Sequence, residues 1–199
     1  LRKADEIIVP SQFTKSRLVE KIGVNPIKIT VINQGIDHDF FYSRTQDESS
    51  QILQKHDLHW GKYLIYVGNL KRHKNIERMT LAYQKARQRG LKIPFILAGR
   101  IEGLNETIAI EKLLQIEGVR HIGEIDFVEL PYLYSGAKAL AFVSLYEGFG
   151  LPPLEAMACG CPVLISGEAS LPEVAGDCAV IANARDIDDI SNCMEKISL

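Results

Sequence analysis

The sequence predicts an α/β fold built on a doubly wound parallel sheet. Three observations carry that expectation. From Tyr63 onward, short apolar runs of strand length alternate with longer stretches of helical period, the pattern of βαβ units. The runs are apolar throughout rather than every second residue, as in strands covered on both faces. Four of them end at Gly68, Gly99, Gly123 and Glu147, where ligands gather in open parallel sheets, beyond the carboxyl ends of the strands.

The elements follow in order. Glu6 to Val9 reads as a strand, Ser11 to Ile22 as a helix with Ser11 as its cap, and Lys28 to Ile32 as a second strand. Asn33 to Ser50 is polar and turn-like, and it marks a boundary: residues 1–35 are expected to belong to one domain and 36–199 to another. Tyr63 to Val67 is then a strand. Asn75 to Gln88 is a helix capped by Asn75, with Ile76, Met79, Tyr83 and Ala86 on one face, and Ile93 to Ala98 is a strand. A helix near Thr107 to Ile116, a strand at Val119 to Ile122 and a helix opened by Asp126 continue the alternation. Ala139 to Val143 is the next apolar strand, followed by a short helix from about Pro153 to Cys159 that Gly160 stops. Val163 to Ile165 and Ala179 to Ile181 are the last strands, and Asp186 opens the last helix.

Composition narrows the function. The chain has 199 residues, 46% of them hydrophobic, enough for a substantial core. A net charge of −2 argues against a sequence-independent nucleic-acid binder, so an anion site must be local. No apolar run reaches the roughly 20 residues of a membrane helix, the N-terminal stretch lacks a signal-peptide core, and a cytoplasmic location is expected. Four cysteines without Cys-x-x-Cys spacing read as reduced structural thiols. His56 and His59 lack a third ligand nearby and read as exposed.

The most informative stretch is YEGFGLPPLEAMA, Tyr146 to Ala158, in which Glu147 and Glu155 flank a Gly-Phe-Gly-Leu-Pro-Pro turn. Gly148 and Gly150 let backbone N–H groups approach a ligand, and the following helix N-terminus adds partial positive charge. Such a turn attracts phosphate, and two acceptor-only carboxylates beside it suit hydroxyls. Phosphate plus hydroxyls means a nucleotide or a sugar. At another strand end, VGNLKRHKNIERM sets Lys71, Arg72, His73 and Lys74 between Gly68 and a helix, a second set of cations at a helix start. The same loop also reads as a solvated basic turn.

Taken together, YVGNLKRHKNI, HIGEIDFVELPYLYSGA, SLYEGFGLPPLEAMACGCPVLIS and LPEVAGDCAV resemble the donor-binding half of family-four retaining glycosyltransferases. The resemblance runs from about Ala4 to Arg185, with four motifs in the right order. It implies a Rossmann-like domain, the C-terminal half of a two-Rossmann-domain enzyme. The donor substrate would be a nucleotide-diphosphate sugar, with no cofactor and no metal. On that resemblance Glu147 meets the transferred sugar near its anomeric centre, and Glu155 takes the ribose hydroxyls. The backbone of Gly148, Phe149, Gly150 and Leu151 holds sugar and phosphate. Lys74 matches the diphosphate-binding lysine and, with Glu147, is the expected catalytic pair. His73 stands where many members carry arginine, and Arg72 is the candidate to replace it. Gly68 ends the strand before that loop, and Gly123, Glu124 and Ile125 match the loop that receives the nucleobase, although Glu124 also reads as an ordinary strand-end residue.

The resemblance further implies an N-terminal acceptor domain, of which residues 1–35 are the remnant, and a C-terminal crossover helix beyond the last residue. The expected partners are the donor and that acceptor half, through which the whole protein could touch a membrane peripherally. Two other readings stay open: a donor-binding module inactive alone, and a dinucleotide-dependent oxidoreductase on the same fold, against which no G-x-G-x-x-G follows a strand. Asp37-His-Asp39 and Asp186-Ile-Asp188 read as D-x-D, the metal motif of a different glycosyltransferase fold, but a linker turn and a helix start explain them sufficiently and are the favoured reading.

Overall fold

A computed structural model describes residues 3–199, apart from the side chains of residues 104 and 105; the first two residues of segment 1–35 lie outside the description. Two parallel sheets are present. The first pairs β1 (Ile7–Val9) with β2 (Ile29–Val31) around α1 (Gln12–Ile22) and carries its own small core of Ile7, Val9, Val24 and Ile29. Ser11 caps α1 by accepting from the Thr14 N–H, and Gly23, at φ 71°, ends it.

The second sheet has six parallel strands: β3 (Leu64–Val67), β4 (Phe95–Ala98), β5 (Val119–His121), β6 (Ala139–Phe142), β7 (Val163–Ser166) and β8 (Ala179–Ala182). Their order is β5-β4-β3-β6-β7-β8. This is the doubly wound order that reverses direction between β3 and β6, where a crevice opens at the carboxyl ends. Every residue of β3, β4, β6 and β7 is buried, as the unbroken apolar runs require. Helices α3 (Ile76–Gln88), α4 (Leu104–Leu113) and α8 (Ile187–Ile197) form one layer. Helices α2 (Gln46–Lys55), α5 (Leu130–Gly136), α6 (Leu151–Ala158) and α7 (Leu171–Ala175) form the other.

Several expectations are corrected. The turn-like stretch to Ser50 ends early, because α2 starts at Gln46. Thr45 and Glu48 form a reciprocal capping box, a Thr-x-x-Glu signal overlooked in a polar run. Asn75 does not cap α3 with its side chain; at φ 62° it turns that side chain into the core. Helix α4 sits three residues earlier than expected, and Asp126 opens a 3-10 turn (Phe127–Glu129) without a side-chain cap. Helix α6 begins at Leu151, so both prolines lie in its first turn, where a missing N–H costs nothing. Helix α7 went unread as a separate element. His56 is half-buried at the end of α2, its Nε2 2.8 Å from Glu129 Oε2, while Lys55 Nζ lies 2.5 Å from Oε1 of the same carboxylate. His59 is exposed.

Other features match their sequence reading. Cys159 and Cys161 are buried free thiols, pushed by that burial up to about 11 and about 12. Asp37 accepts from the N–H groups of Asp39 and Phe40, and Asp186 caps α8 through the N–H groups of Asp188 and Asp189. Both acids are thus engaged in local turns.

Candidate functional site

The crevice between β3 and β6 gathers the two stretches that sequence singled out separately. After β3 the chain passes Gly68 and a 3-10 turn, Arg72–Lys74, into α3; after β6 it passes residues 143–150 into α6. Lys74 Nζ lies 2.7 Å from Glu147 Oε1, with side-chain exposures of 18% and 12%. The ammonium also sits 5.5 Å from the ring centre of Phe142, which stacks on Tyr66. The two loops are tied together by backbone and amide. Leu145 N–H donates to the His73 carbonyl at 2.9 Å, and Asn75 Nδ2 donates to the carbonyls of Val143 at 3.0 Å and Ala184 at 2.8 Å. Asn75 therefore fixes the start of α3 against the ends of β6 and β8, which is why it occupies a left-handed conformation that asparagine tolerates.

The 144–150 loop is held by its carbonyls. Ser166 donates to the Ser144 carbonyl at 2.6 Å, and Ser170 donates to those of Glu147 at 3.0 Å and Phe149 at 2.8 Å. From the small sheet, Ser11 and Thr14 donate to the Gly148 carbonyl at 2.7 and 3.1 Å. The N–H groups of Gly148, Phe149, Gly150 and Leu151 donate to no protein acceptor among the described residues, so the loop and the first turn of α6 present a row of unpaired donors. Gly150 is obligatory there: at φ 108° a Cβ would also lie 2.5 Å from Leu171 Cδ2. A row of N–H groups at a helix start, beside a lysine, is an arrangement that can take an anion.

Glu155 lies on α6 and is 9% exposed. Tyr134, fully buried on α5, donates its hydroxyl to Glu155 Oε2 at 2.8 Å. Burial pushes the Glu155 carboxyl up, and the tyrosine bond works against that rise.

The remaining expected site residues surround this centre. Gly68 and Gly99 lie side by side, with the Gly68 N–H on the Ala98 carbonyl; a Cβ on Gly99 would collide with the Gly68 carbonyl. Arg72 and His73 are both exposed on the 3-10 turn. Partial desolvation and the Lys74 cation hold the His73 imidazole below its usual value. Gly123, at φ 78°, accepts the Gly99 N–H through its carbonyl at 2.7 Å; Glu124 is exposed and Ile125 half-buried.

Sequence reading missed the residues that hold the site rather than line it: Asn75 as a tie, Tyr134, Ser166, Ser170, Ser11 and Thr14. It also missed Glu173 on α7, whose carboxylate accepts from the N–H of Gln12 at 3.0 Å and so joins α1 to the main sheet beside the loop. Ser170 and Glu173 stand next to or inside the LPEVAGDCAV motif, the only signal that could have found them.

Comparison with known proteins places this geometry among relatives. The family model "Glycosyl transferases group 1" matches residues 48–198, and "Glycosyltransferase Family 4" matches residues 1–40. O-antigen chain mannosyltransferase B of Escherichia coli is 34% identical over 96% of this chain and 51% of its own length. O-antigen chain mannosyltransferase RfbU of Salmonella typhimurium is 27% identical over 94% of this chain and 49% of its own. A crystal structure of Anabaena HepE in complex with UDP and glucose has a TM-score of 0.86 at 20% identity, covering 98% of this chain and 54% of that one. At that identity the likeness concerns the fold. The chain spans about half the length of these relatives. Since one family model alone takes in most of the residues, including both loops of the crevice, the chain belongs to the group 1 glycosyl transferases.

Proposed function

We propose that the chain is the donor-binding part of a retaining glycosyltransferase that moves a hexose from a nucleotide-diphosphate sugar to a hydroxyl acceptor in glycan or cell-envelope polysaccharide synthesis. The observation that carries this reading is the Lys74–Glu147 pair at the strand-order reversal, facing the unpaired N–H groups of residues 148–151. Lys74 and those amides stand where a departing nucleoside diphosphate gathers negative charge, and a preorganised donor at such a position is worth about 3 kcal/mol. Glu147 takes sugar hydroxyls and faces the positive character that grows at the anomeric carbon. Glu155 accepts from the ribose. Retention rests on the family resemblance. The O-antigen mannosyltransferases among the relatives make mannose the first donor sugar to test.

In this reading the positive charge at the diphosphate comes from Lys74 and the helix start, so the donor needs no magnesium, and the protein works in the cytoplasm. The acceptor is held by a further half of the protein, because one wall of a cleft neither orients the acceptor nor excludes water. Calorimetry with UDP, GDP, ADP and dTDP, with and without chelator, tests the reading. One nucleotide should bind, and chelator should leave its affinity unchanged. Glu155→Ala should weaken it about 10- to 100-fold, as loss of a charged hydrogen-bond acceptor implies. Unaltered affinity in folded Glu155→Ala protein refutes the ribose assignment, and binding that vanishes with chelator refutes the metal-free diphosphate site.

A further inference from the structure

Helix α6 packs against α5, and at their contact the Tyr134 hydroxyl reaches Glu155. Two features make this contact more than packing. Tyr134 is fully buried, and its hydroxyl has one partner among the described residues, a single carboxylate oxygen. That carboxylate is used asymmetrically: Oε2 is taken at 2.8 Å, whereas Oε1 has no protein partner among the described residues and is not one of the occluded unpaired atoms, so it opens to solvent. A glutamate has three rotatable bonds, and a ligand hydroxyl must otherwise stop that motion when it binds.

We propose that Tyr134 is a positioning residue of this site: its hydroxyl anchors Oε2 of Glu155, fixes the side-chain rotamer, and leaves Oε1 as the acceptor for a ribose hydroxyl. The inference rests on the assignment of Glu155 to the ribose. It also gives the site a sensitivity to protons. Burial favours the neutral acid and the tyrosine bond favours the carboxylate, so the hydroxyl offsets part of the rise that burial imposes. Other titratable groups on the elements packed around Glu155 have different partners. Tyr132 on α5 lies toward Arg44, Glu173 on α7 binds the start of α1, and β6 and β7 bring no titratable group. The thiols of Cys159 and Cys161 follow at the end of α6 and are held high by burial; Cys159 feels both Arg44, which lowers it, and Glu155, which raises it. Lys74 and Glu147, in the loops before α3 and α6, are paired with each other.

The test uses the 199-residue chain and the tightest binder among UDP, GDP, ADP and dTDP. Dissociation constants of the parent and of Tyr134→Phe are measured by calorimetry across a pH series, and their ratio at each pH removes the titration of the nucleotide itself. The expected ratio is about tenfold at the acid end of the series and shrinks toward unity as pH rises, because without the tyrosine bond the buried carboxyl is raised further and is more easily protonated. A purely structural tyrosine gives a ratio that does not change with pH, and that result overturns the proposal. In a Glu155→Ala background, Tyr134→Phe should cost no further affinity; additive losses overturn the proposal as well. Glu155→Ala with parental affinity instead removes the ribose assignment, and the inference with it, so the two failures are distinct. One measurement needs no variant. The Tyr134 hydroxyl proton, protected by burial, should give a slowly exchanging downfield resonance in the unaltered chain that shifts when nucleotide binds, and a resonance indifferent to nucleotide overturns the proposal.

Discussion

Replacing Lys74 by alanine removes more than a cation, because it also strands an anion. The ammonium is 2.7 Å from Glu147, and both side chains are largely buried. On the proposed function, a diphosphate arriving at the start of α6 meets Lys74 as an attractive charge and Glu147 as a neutralised one. In Lys74→Ala it loses a charged hydrogen bond, worth about 1.5–3 kcal/mol. It then also faces an unpaired carboxylate, and for unit charges about 6 Å apart at an effective dielectric of about 20 that repulsion is roughly 3 kcal/mol, less what water screens. The expected loss of nucleoside diphosphate affinity is therefore about 100-fold or more, and it should be smaller for the monophosphate. Lys74→Ala combined with Glu147→Gln removes the stranded charge and should recover about tenfold, though not full affinity. Calorimetry on the three proteins with diphosphate and monophosphate reads both effects. If the double variant binds no better than Lys74→Ala, or if the diphosphate-to-monophosphate affinity ratio is unchanged, the electrostatic account of the crevice is wrong.

Three further outcomes follow from the same geometry. Glu147→Ala alone frees Lys74 and, on the proposed function, should leave plain nucleotide binding intact while lowering sugar transfer by the donor and acceptor halves together by about 100-fold or more; an equal fall in nucleotide affinity would place Glu147 on the nucleotide instead. Asn75→Ala removes the donor for two carbonyls and puts alanine at φ 62°, so urea unfolding should give a loss of about 3 kcal/mol, and a change below about 1 kcal/mol would discard Asn75 as the tie between α3, β6 and β8. Burial pushes the Glu129 carboxyl up, but the bonds from Lys55 and His56 outweigh it and hold the group below its ordinary value of 4.5. Its stabilising contribution is thus fully present above that value and fades as pH falls through the lower folded value, so Glu129→Gln should be less stable at neutral pH and show a flatter loss below about pH 4.5. Parallel acid-unfolding curves for parent and variant would contradict that assignment.

What the sequence determined by itself was whatever depends on near neighbours in the chain. The unbroken apolar runs of β3, β4, β6 and β7 announced a sheet covered on both faces, and the glycines after them announced its carboxyl ends. The Gly-Phe-Gly-Leu-Pro-Pro turn announced a strand-to-helix corner with free N–H groups, because glycine φ values and proline's missing donor act within a few residues. Local signals also misled where they competed: the polar run before Ser50 concealed a capping box, and Asn75, a good cap by type, was drawn to two distant carbonyls instead. Only the tertiary structure decided which residues meet. Lys74 and Glu147 are 73 positions apart, and the order of the strands brings them together because β3 and β6 are neighbours in space with helices leaving in opposite directions. Tyr134 reaches Glu155 across two helices, and Ser11 reaches Gly148 from another sheet. Such contacts leave no periodicity in the chain, since a hydrogen bond between elements depends on how their faces pack and not on the spacing of residues within either one.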